Sequence, residues 1–427
     1  MDSKESNFET LDYYTDPSLF ADPFPYYEFL RAKGPVQRLP GRENVVAVTG
    51  FEEALTVYQD NEHYSTINNL GGPLIPIPIP DGRSDDITPY IEAARPNVPM
   101  GNQLVTFDNL QHSRIRSLLM RLFTPSRLKA NEIYLTTLSG QLIDKFAGTG
   151  KVEILSDYGN VFAGLVIADL LGVPEEDRPW FTEKFSYQPP VGTSVAANPL
   201  AFLDDKFSGY IADRRRNPRA DVMSELATAA LSDGSMPTEV EVMRVATFLF
   251  AAGQDTTARF LAMCMHTLAE HPDVQASLRA DPQLIPNFIE EVLRFDGPVK
   301  TSHRMVRKPT TLAGLELPAG TNVALMQAAI NRDPRRFDDP GTFKLGRPRA
   351  REHLGFGRGA HTCPGALLAR NETRVSLERL LSRMGDIRIS EEKHGPPGAR
   401  RFDLEPTFIL RGYQALHLEF TPIGKGV

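Results

Sequence analysis

Ten residues from Phe356 to Gly365 read Phe-Gly-Arg-Gly-Ala-His-Thr-Cys-Pro-Gly and hold the chain's most reactive atom, the sulfur of Cys363. Gly357 and Gly359 let the backbone turn tightly and approach a flat ligand. Pro364 and Gly365 open a helix whose first amides point back at the sulfur, an arrangement that favours thiolate over thiol. Such a thiolate is either a nucleophile or a metal ligand, the axial ligand of a haem iron included. The plain alternative is a buried inert cysteine. As a nucleophile Cys363 would use His361, two residues away, as its base.

Three further groupings could do chemistry. Ala251-Ala-Gly-Gln-Asp-Thr-Thr257 interrupts an apolar helix. Gly253 costs about 1 kcal/mol in a helix interior relative to Ala, and adjacent threonines are poor helix formers. An acid beside a hydroxyl, Asp255 with Thr256, suits a proton relay over a reacting group. A kinked helix whose Asp reaches solvent or an Arg explains the same residues. Glu291 and Arg294, at i and i+3, share one helical face and can form an ion pair; on a surface such pairs contribute little. His112 and Arg116, at i and i+4, suit an anionic group, or form an exposed basic turn.

The elements that must position these residues are mostly helical. Apolar spacing predicts helices over 51–59, 111–123, 127–147, 158–171, 274–280, 284–295 and 366–384. The longest starts at Thr238, where Thr238 and Glu241 fit a capping box, and ends near Glu270 before His271-Pro272. Short strands fit 45–48, 304–306, 311–312, 323–328 and 415–420. Residues 192–198 read as a weak break. The stretch 65–105 is a long loop holding Pro73-Leu-Ile-Pro-Ile-Pro-Ile-Pro80. Alternate prolines forbid a helix and remove strand donors. The loop is either a lid over an apolar site or a disordered insertion. No low-complexity linker divides the chain, so one large, mainly α domain with a small β portion is expected over 1–427.

Composition narrows the function classes. The chain has 427 residues, a net charge of −7 and two cysteines, Cys264 and Cys363. That excludes a disulfide scaffold and a four-cysteine zinc site, and general nucleic-acid binding is not expected. No apolar run of eighteen residues occurs, so no membrane span is expected. The N-terminus lacks the layout of a signal peptide, and a cytoplasmic protein is expected. Residues 332–370 carry nine Arg or Lys and four acids, either a solvated face or a landing patch for an acidic partner.

Taken together and in this order, the motifs resemble the cytochrome P450 family of haem-thiolate monooxygenases, in particular its soluble bacterial branch. The resemblance runs from Asp16 to the final strand and is carried by Phe356-x-x-Gly359-x-x-x-Cys363-x-Gly365, Glu291-x-x-Arg294 and Ala252-Gly253-x-Asp255-Thr256. It implies a haem b held between the long helix and the Cys loop. Cys363 would be the axial ligand of the iron, with Phe356 and Gly357 beside the haem on the Cys side. Asp255 and Thr256 would deliver protons to bound O2, and Ala252 and Gly253 would leave space above the iron. Glu291 and Arg294 would be a buried structural pair completed by Arg335 or Arg336. His112, Arg116, Arg304 and His361 would bind the propionates, with His353 a further candidate.

The resemblance also implies substrate contacts from 65–105, 181–200, 248–256, 299–303 and 408–410, with Phe248, Val299, Ser302, His303, Ile409 and Leu410 as pocket residues. These segments are mostly apolar, which fits a terpenoid, steroid or alkyl-aromatic substrate. No flavin or nicotinamide domain is fused, so electrons would come from NAD(P)H only indirectly, through a ferredoxin, [2Fe-2S] or similar, and its reductase. Arg358 is the expected contact, and a monomer is expected. Asp255-Thr256 argues against two rivals within the fold, a peroxide-driven peroxygenase and a haem-binding sensor without turnover.

Overall fold

The computed structural model describes residues 8–79, 85–186, 201–231 and 233–424. It is mainly helical with three small sheets. Five helices carry the argument: α1 (Asn109–Met120), α2 (Asn160–Leu170), α3 (Glu239–Glu270), α4 (Ile285–Asp296) and α5 (Ala366–Arg383). Five strands form the largest sheet: β1 (Val36–Leu39), β2 (Arg42–Val48), β3 (Tyr64–Ser65), β4 (Ser302–Val306) and β5 (Asn322–Leu325), in the order β1-β2-β5-β4-β3. Only β2 and β5 run parallel, with Val45 opposite Asn322 and Val48 opposite Leu325.

The axis of the molecule is α3, 32 residues long and so about 48 Å from end to end. Its start is fixed by the capping box read from the sequence: the Glu241 amide donates to Thr238 Oγ1 at 3.2 Å, and the Thr238 amide donates to Glu241 Oε2 at 2.8 Å. Twenty of its residues are buried, because α2, α4 and α5 all pack against it. Its crossing with α2 is close at Gly253, where an added Cβ would stand 2.7 Å from Ile167 Cδ1. Cys264 is wholly buried in this core.

A buried ion cluster ties α4 to the chain that leads into the Cys loop. Arg294 Nε and Nη2 donate to the two Glu291 oxygens at 2.7 and 2.8 Å. Arg347 Nε and the Lys344 amide donate to Glu291 Oε1 at 2.8 and 3.0 Å. The remaining Arg294 donors reach the carbonyls of Asn331, Pro340 and Thr342. This corrects the expectation that Arg335 or Arg336 completes the pair. Arg335 binds Glu53 and Asp333, and Arg336 binds Glu352.

Other expectations shift as well. The strand read over 323–328 stops at Leu325, and Gln327–Ile330 is a helical turn. Helices Arg178–Ser186, Ala201–Arg216 and Val222–Thr228 were not foreseen, and 192–198 lies outside the described residues. The stretch 65–105 is not one loop, since Thr88–Ala94 is helical. Ile75, Ile77 and Ile79 pack on a separate cluster with Ile67, Ile87, Ile91 and Val98, so this strap covers its own small core. Pro76 and Pro78, between them, face outward.

Glu291→Gln leaves two buried guanidinium groups without their carboxylate. The expected loss is about 3–5 kcal/mol of stability, read as the shift in denaturant midpoint.

Candidate functional site

An apolar cavity of about 320 Å³ opens between α3 and the Cys loop. Its walls separate by chemistry. Leu104, Val105, Ile167, Phe248, Leu249, Ala252, Gly253 and Val299 make one apolar side. Cys363, Phe356, Gly357, Pro364 and Gly365 make the opposite side. His112, Arg116, Arg304 and His361 gather at one end.

The Cys loop is a tight hairpin. The Cys363 amide donates to the Phe356 carbonyl at 2.9 Å, and Arg370 stacks its guanidinium 4.6 Å from the Phe356 ring. Gly359 sits at φ +71°, and a Cβ there would meet the Tyr58 carbonyl at 2.2 Å. Only glycine satisfies both constraints. Cys363 is accessible, yet it lies deep in the protein, and its accessible surface is cavity wall. Burial pushes its thiol up, while the Gly365 amide, Arg116 and Arg370 pull it down. Those donors are placed to stabilise a sulfur anion.

The charged end is built from α1 and β4. The His112 and His361 rings stand 3.9 Å apart. Burial first, and then the neighbouring cations, lowers His112 to about 4 and His361 to about 2, so both are neutral near pH 7. Arg116 donates to the Thr362 carbonyl. Arg304 donates to Asn69 Oδ1 at 2.9 Å and lies 5.6 Å over the Tyr58 ring. Among the described residues neither arginine has a carboxylate partner, and the buried His112 Nε2 has no hydrogen-bond partner. Two cations and an orphaned ring nitrogen at a cavity end fit the carboxylates of a dianionic ligand. The sulfur on the adjoining wall fits a metal at that ligand's centre.

On α3, Thr256 faces the cavity and its hydroxyl donates to the Ala252 carbonyl at 2.7 Å. Asp255 does not reach the wall. Its Oδ1 accepts from Arg259 Nε at 2.9 Å, one turn on.

The expected pocket residues divide. Phe248, Val299 and Ser302 line the cavity. His303 does not: it is fully buried against Tyr14 and Asn69, outside the wall. Ile409 packs on the N-terminal cluster instead. Leu410 bridges Val299 from behind. These placements correct the reading of His303, Ile409 and Leu410 as pocket residues. His353 is corrected too. Its Nδ1 accepts from the Gly355 amide and its Nε2 meets Glu290 Oε2 at 3.0 Å, beneath the Cys loop rather than in the cavity. Of the 65–105 stretch, Asn69, Leu104 and Val105 reach the wall. Of the 181–200 segment, 187–200 lies outside the described residues.

Sequence reasoning missed Tyr58 and Glu372 in the wall. Glu372 is the notable one. It lies on α5, nine residues past Cys363, wholly buried, with Oε1 unpartnered. Burial pushes it up to about 8, against a hydrogen bond with Thr257 that pulls it down. It is therefore a neutral acid near pH 7. Its spacing from the cysteine was the signal available.

An acid held neutral only in the folded state lowers stability as pH rises, because the unfolded chain releases that proton first. Relative to Glu372→Gln, the wild-type unfolding midpoint is expected to fall between about pH 4.5 and about pH 8, measured by denaturation across that range.

Comparisons with known proteins agree on one family. A family model described as cytochrome P450 matches residues 198–385. The chain is 32% identical over 408 residues to the cytochrome P450 monooxygenase PikC of Streptomyces venezuelae, covering 94% of this chain and 91% of the relative. The substrate-free structure of Mycobacterium marinum cytochrome P450 CYP150A6 is similar at 53% identity and a TM-score of 0.92, covering 98% of this chain and 100% of that one. CYP109E1 of Bacillus megaterium in complex with corticosterone is similar at 26% identity and a TM-score of 0.76, covering 93% and 98%.

Proposed function

The chain belongs to the cytochrome P450 family of monooxygenases, and from that premise we propose that it hydroxylates a hydrophobic small molecule of terpenoid, steroid or alkyl-aromatic type. The observation that carries this reading is the division of the cavity. Every charged group in its wall belongs to the end around His112, Arg116, Arg304 and His361, or is Glu372, held neutral near pH 7. The side formed by Leu104, Val105, Phe248, Leu249 and Val299 offers a substrate apolar contact alone, with Ser302 as an orienting hydroxyl. The steroid in the CYP109E1 complex is that protein's ligand, and it is a molecule of the proposed class.

The family implies haem and O2. Cys363 would hold the haem iron through its sulfur. His112, Arg116, Arg304 and His361 would hold the propionates, and Phe356 and Gly357 would flank the macrocycle. The haem would be the non-covalent b type, because the two cysteines are too far apart in sequence for a Cys-x-x-Cys-His attachment. The chemistry supplied by a bound haem is activation of dioxygen and insertion of one oxygen atom into a C–H bond.

The chain's own residues do the rest. The Gly365 amide, Arg116 and Arg370 favour the sulfur anion against the burial that raises the thiol, and Arg370 holds the Phe356 ring in place. Ala252 and Gly253 keep the cavity open above that sulfur. Thr256 holds a hydroxyl at the wall, and Asp255, one residue away and a quarter exposed, can draw protons from solvent and pass them to it. The apolar wall excludes water from the reacting carbon.

Electrons would come from NAD(P)H through a ferredoxin reductase and a small acidic ferredoxin. The basic excess over 332–370 is smaller on the surface than in the sequence. Arg335, Arg336, Arg347, Arg349 and Arg370 are bound to Glu53, Glu352, Glu291, Glu352 and Glu290. Arg358 is exposed within the Cys loop and has no carboxylate partner among the described residues. It is the cation best placed to meet an acidic donor.

The test of the reading is the carbon monoxide difference spectrum of the reduced, haem-loaded protein. The expected result is the strongly red-shifted Soret band of a thiolate ligand, absent in Cys363→His. A histidine-type band in the wild type, or no haem uptake, would overturn it. Arg358→Glu is expected to weaken ferredoxin-supported turnover by roughly tenfold, about 1.4 kcal/mol for one lost charge contact, with substrate spin-shift titration unchanged. Equal turnover in that variant would remove the docking role.

A further inference from the structure

Asp255 is held by a guanidinium that it does not have to itself. Arg259 Nε and Nη2 approach Asp255 Oδ1 at 2.9 and 2.8 Å, while Arg259 Nη1 approaches Glu405 Oε1 at 2.9 Å. The Arg259 and Glu405 side chains are only 7% and 6% exposed, against 25% for Asp255. The second carboxylate is fixed in place. The Glu405 amide donates to the Gly412 carbonyl at 3.0 Å across the base of a loop, and the Thr407 amide donates to the Glu405 carbonyl at 2.9 Å. Gly412 is open for the arginine to lie against: an added Cβ would stand 3.0 Å from Arg259 Cδ, Cγ and Nη1. The same loop carries Leu410, bridged to Val299 in the cavity wall.

We propose that Arg259 is a positioning residue for proton delivery, and that Glu405, by sharing its guanidinium, sets how tightly Asp255 is held while it passes protons to Thr256. The proposal rests on the reading of Asp255 and Thr256 as an acid–alcohol pair. The step balances simply. Asp255 gains a proton from solvent, gives it to the Thr256 oxygen, and the hydroxyl releases its own proton into the cavity. A guanidinium committed to one carboxylate holds it in place, which opposes its handing a proton onward. A second buried carboxylate on the same guanidinium neutralises part of its charge and weakens the hold. Glu405 is thus the counterweight that lets an ion-paired Asp255 serve as a relay.

The test compares haem-loaded wild type, Glu405→Gln, Gly412→Ala and Asp255→Asn. The readout is dioxygen uptake supported by a plant-type ferredoxin and its reductase, in H2O and in D2O. Glu405→Gln keeps the size and a hydrogen bond but frees Arg259 to commit to Asp255. Uptake is expected to fall on the order of threefold to tenfold, the range of coupling between side chains in contact, and the solvent isotope effect to rise. Gly412→Ala keeps all charges and crowds Nη1, the arm that holds Glu405, so it is expected to change both quantities in the same direction. It serves if Glu405→Gln fails to fold. A second readout needs no turnover. In denaturant unfolding, the Asp255→Asn/Glu405→Gln double variant is expected to lose more stability than the two single losses added, because it alone takes both of these carboxylates from the buried Arg259.

Wild-type uptake and isotope effect in Glu405→Gln and Gly412→Ala, or additive stability losses, would overturn the shared clamp. If Asp255→Asn is also indistinguishable from wild type, the acid–alcohol reading itself fails. If Asp255→Asn is slow and the other two are not, only the clamp fails.

Discussion

One carboxylate, that of Glu291, organises the route from the helical core to the reactive sulfur. It is wholly buried and accepts from two guanidinium groups and one backbone amide. An ion so deep is tolerable only with its lone pairs filled, and the two arginines are tolerable only because their other donors end on carbonyls. Those carbonyls belong to Asn331, Asp338, Asp339, Pro340 and Thr342. The cluster therefore folds an irregular segment around a point charge, where no regular ladder could satisfy its backbone. The neighbouring Glu290 does the same work on the other side. It holds Arg370 at 2.6 Å and His353 at 3.0 Å, and Arg370 in turn lies on Phe356. Two consecutive acids on α4 thus anchor both flanks of the Cys loop.

The cavity is polar at one end and apolar at the other for the same reason. Buried cations without carboxylate partners destabilise a protein unless a ligand supplies the anion. Arg116 and Arg304 are lowered by burial, and two imidazoles beside them are kept neutral. That end is built to be completed by an anionic ligand, and completion should stabilise the fold by mass action. The apolar end carries no such demand, which leaves its side chains free to vary with the substrate.

Much of this was legible in the sequence, and the pattern of what was not is physical. The long helix, its capping box and the 51–59 helix are local signals, set by periodicity and cap residues, and the structure repeats them at or near the residues read. The Cys loop and the threonine at the wall were readable in motif spacing, whereas Arg304 and His361 beside His112 came from the family resemblance. Arg347 was missed because several arginines lie within reach of Glu291 along the chain, and only the folded path selects one. His303 lies on the right strand but faces away, since period-two alternation on a short strand is decided by the sheet it joins, while Ile409 and Leu410 lie in irregular chain whose path has no local signal. Glu372 was silent because a buried acid and an exposed one read alike in sequence.

The proline strap has a consequence for how molecules of this protein meet one another. Ile75, Ile77 and Ile79 turn inward onto their own cluster, and burial alternates with period two as on a strand. An extended segment at a surface normally offers a row of amide donors to any passing chain. Here Pro76 and Pro78 occupy every second position, and residues two apart in an extended chain present their amides along the same edge. One whole edge of the strap thus has carbonyls and no donors. The protein keeps an apolar, extended segment near its surface without offering that edge as a template, so strand addition along it is blocked by covalent structure rather than by charge.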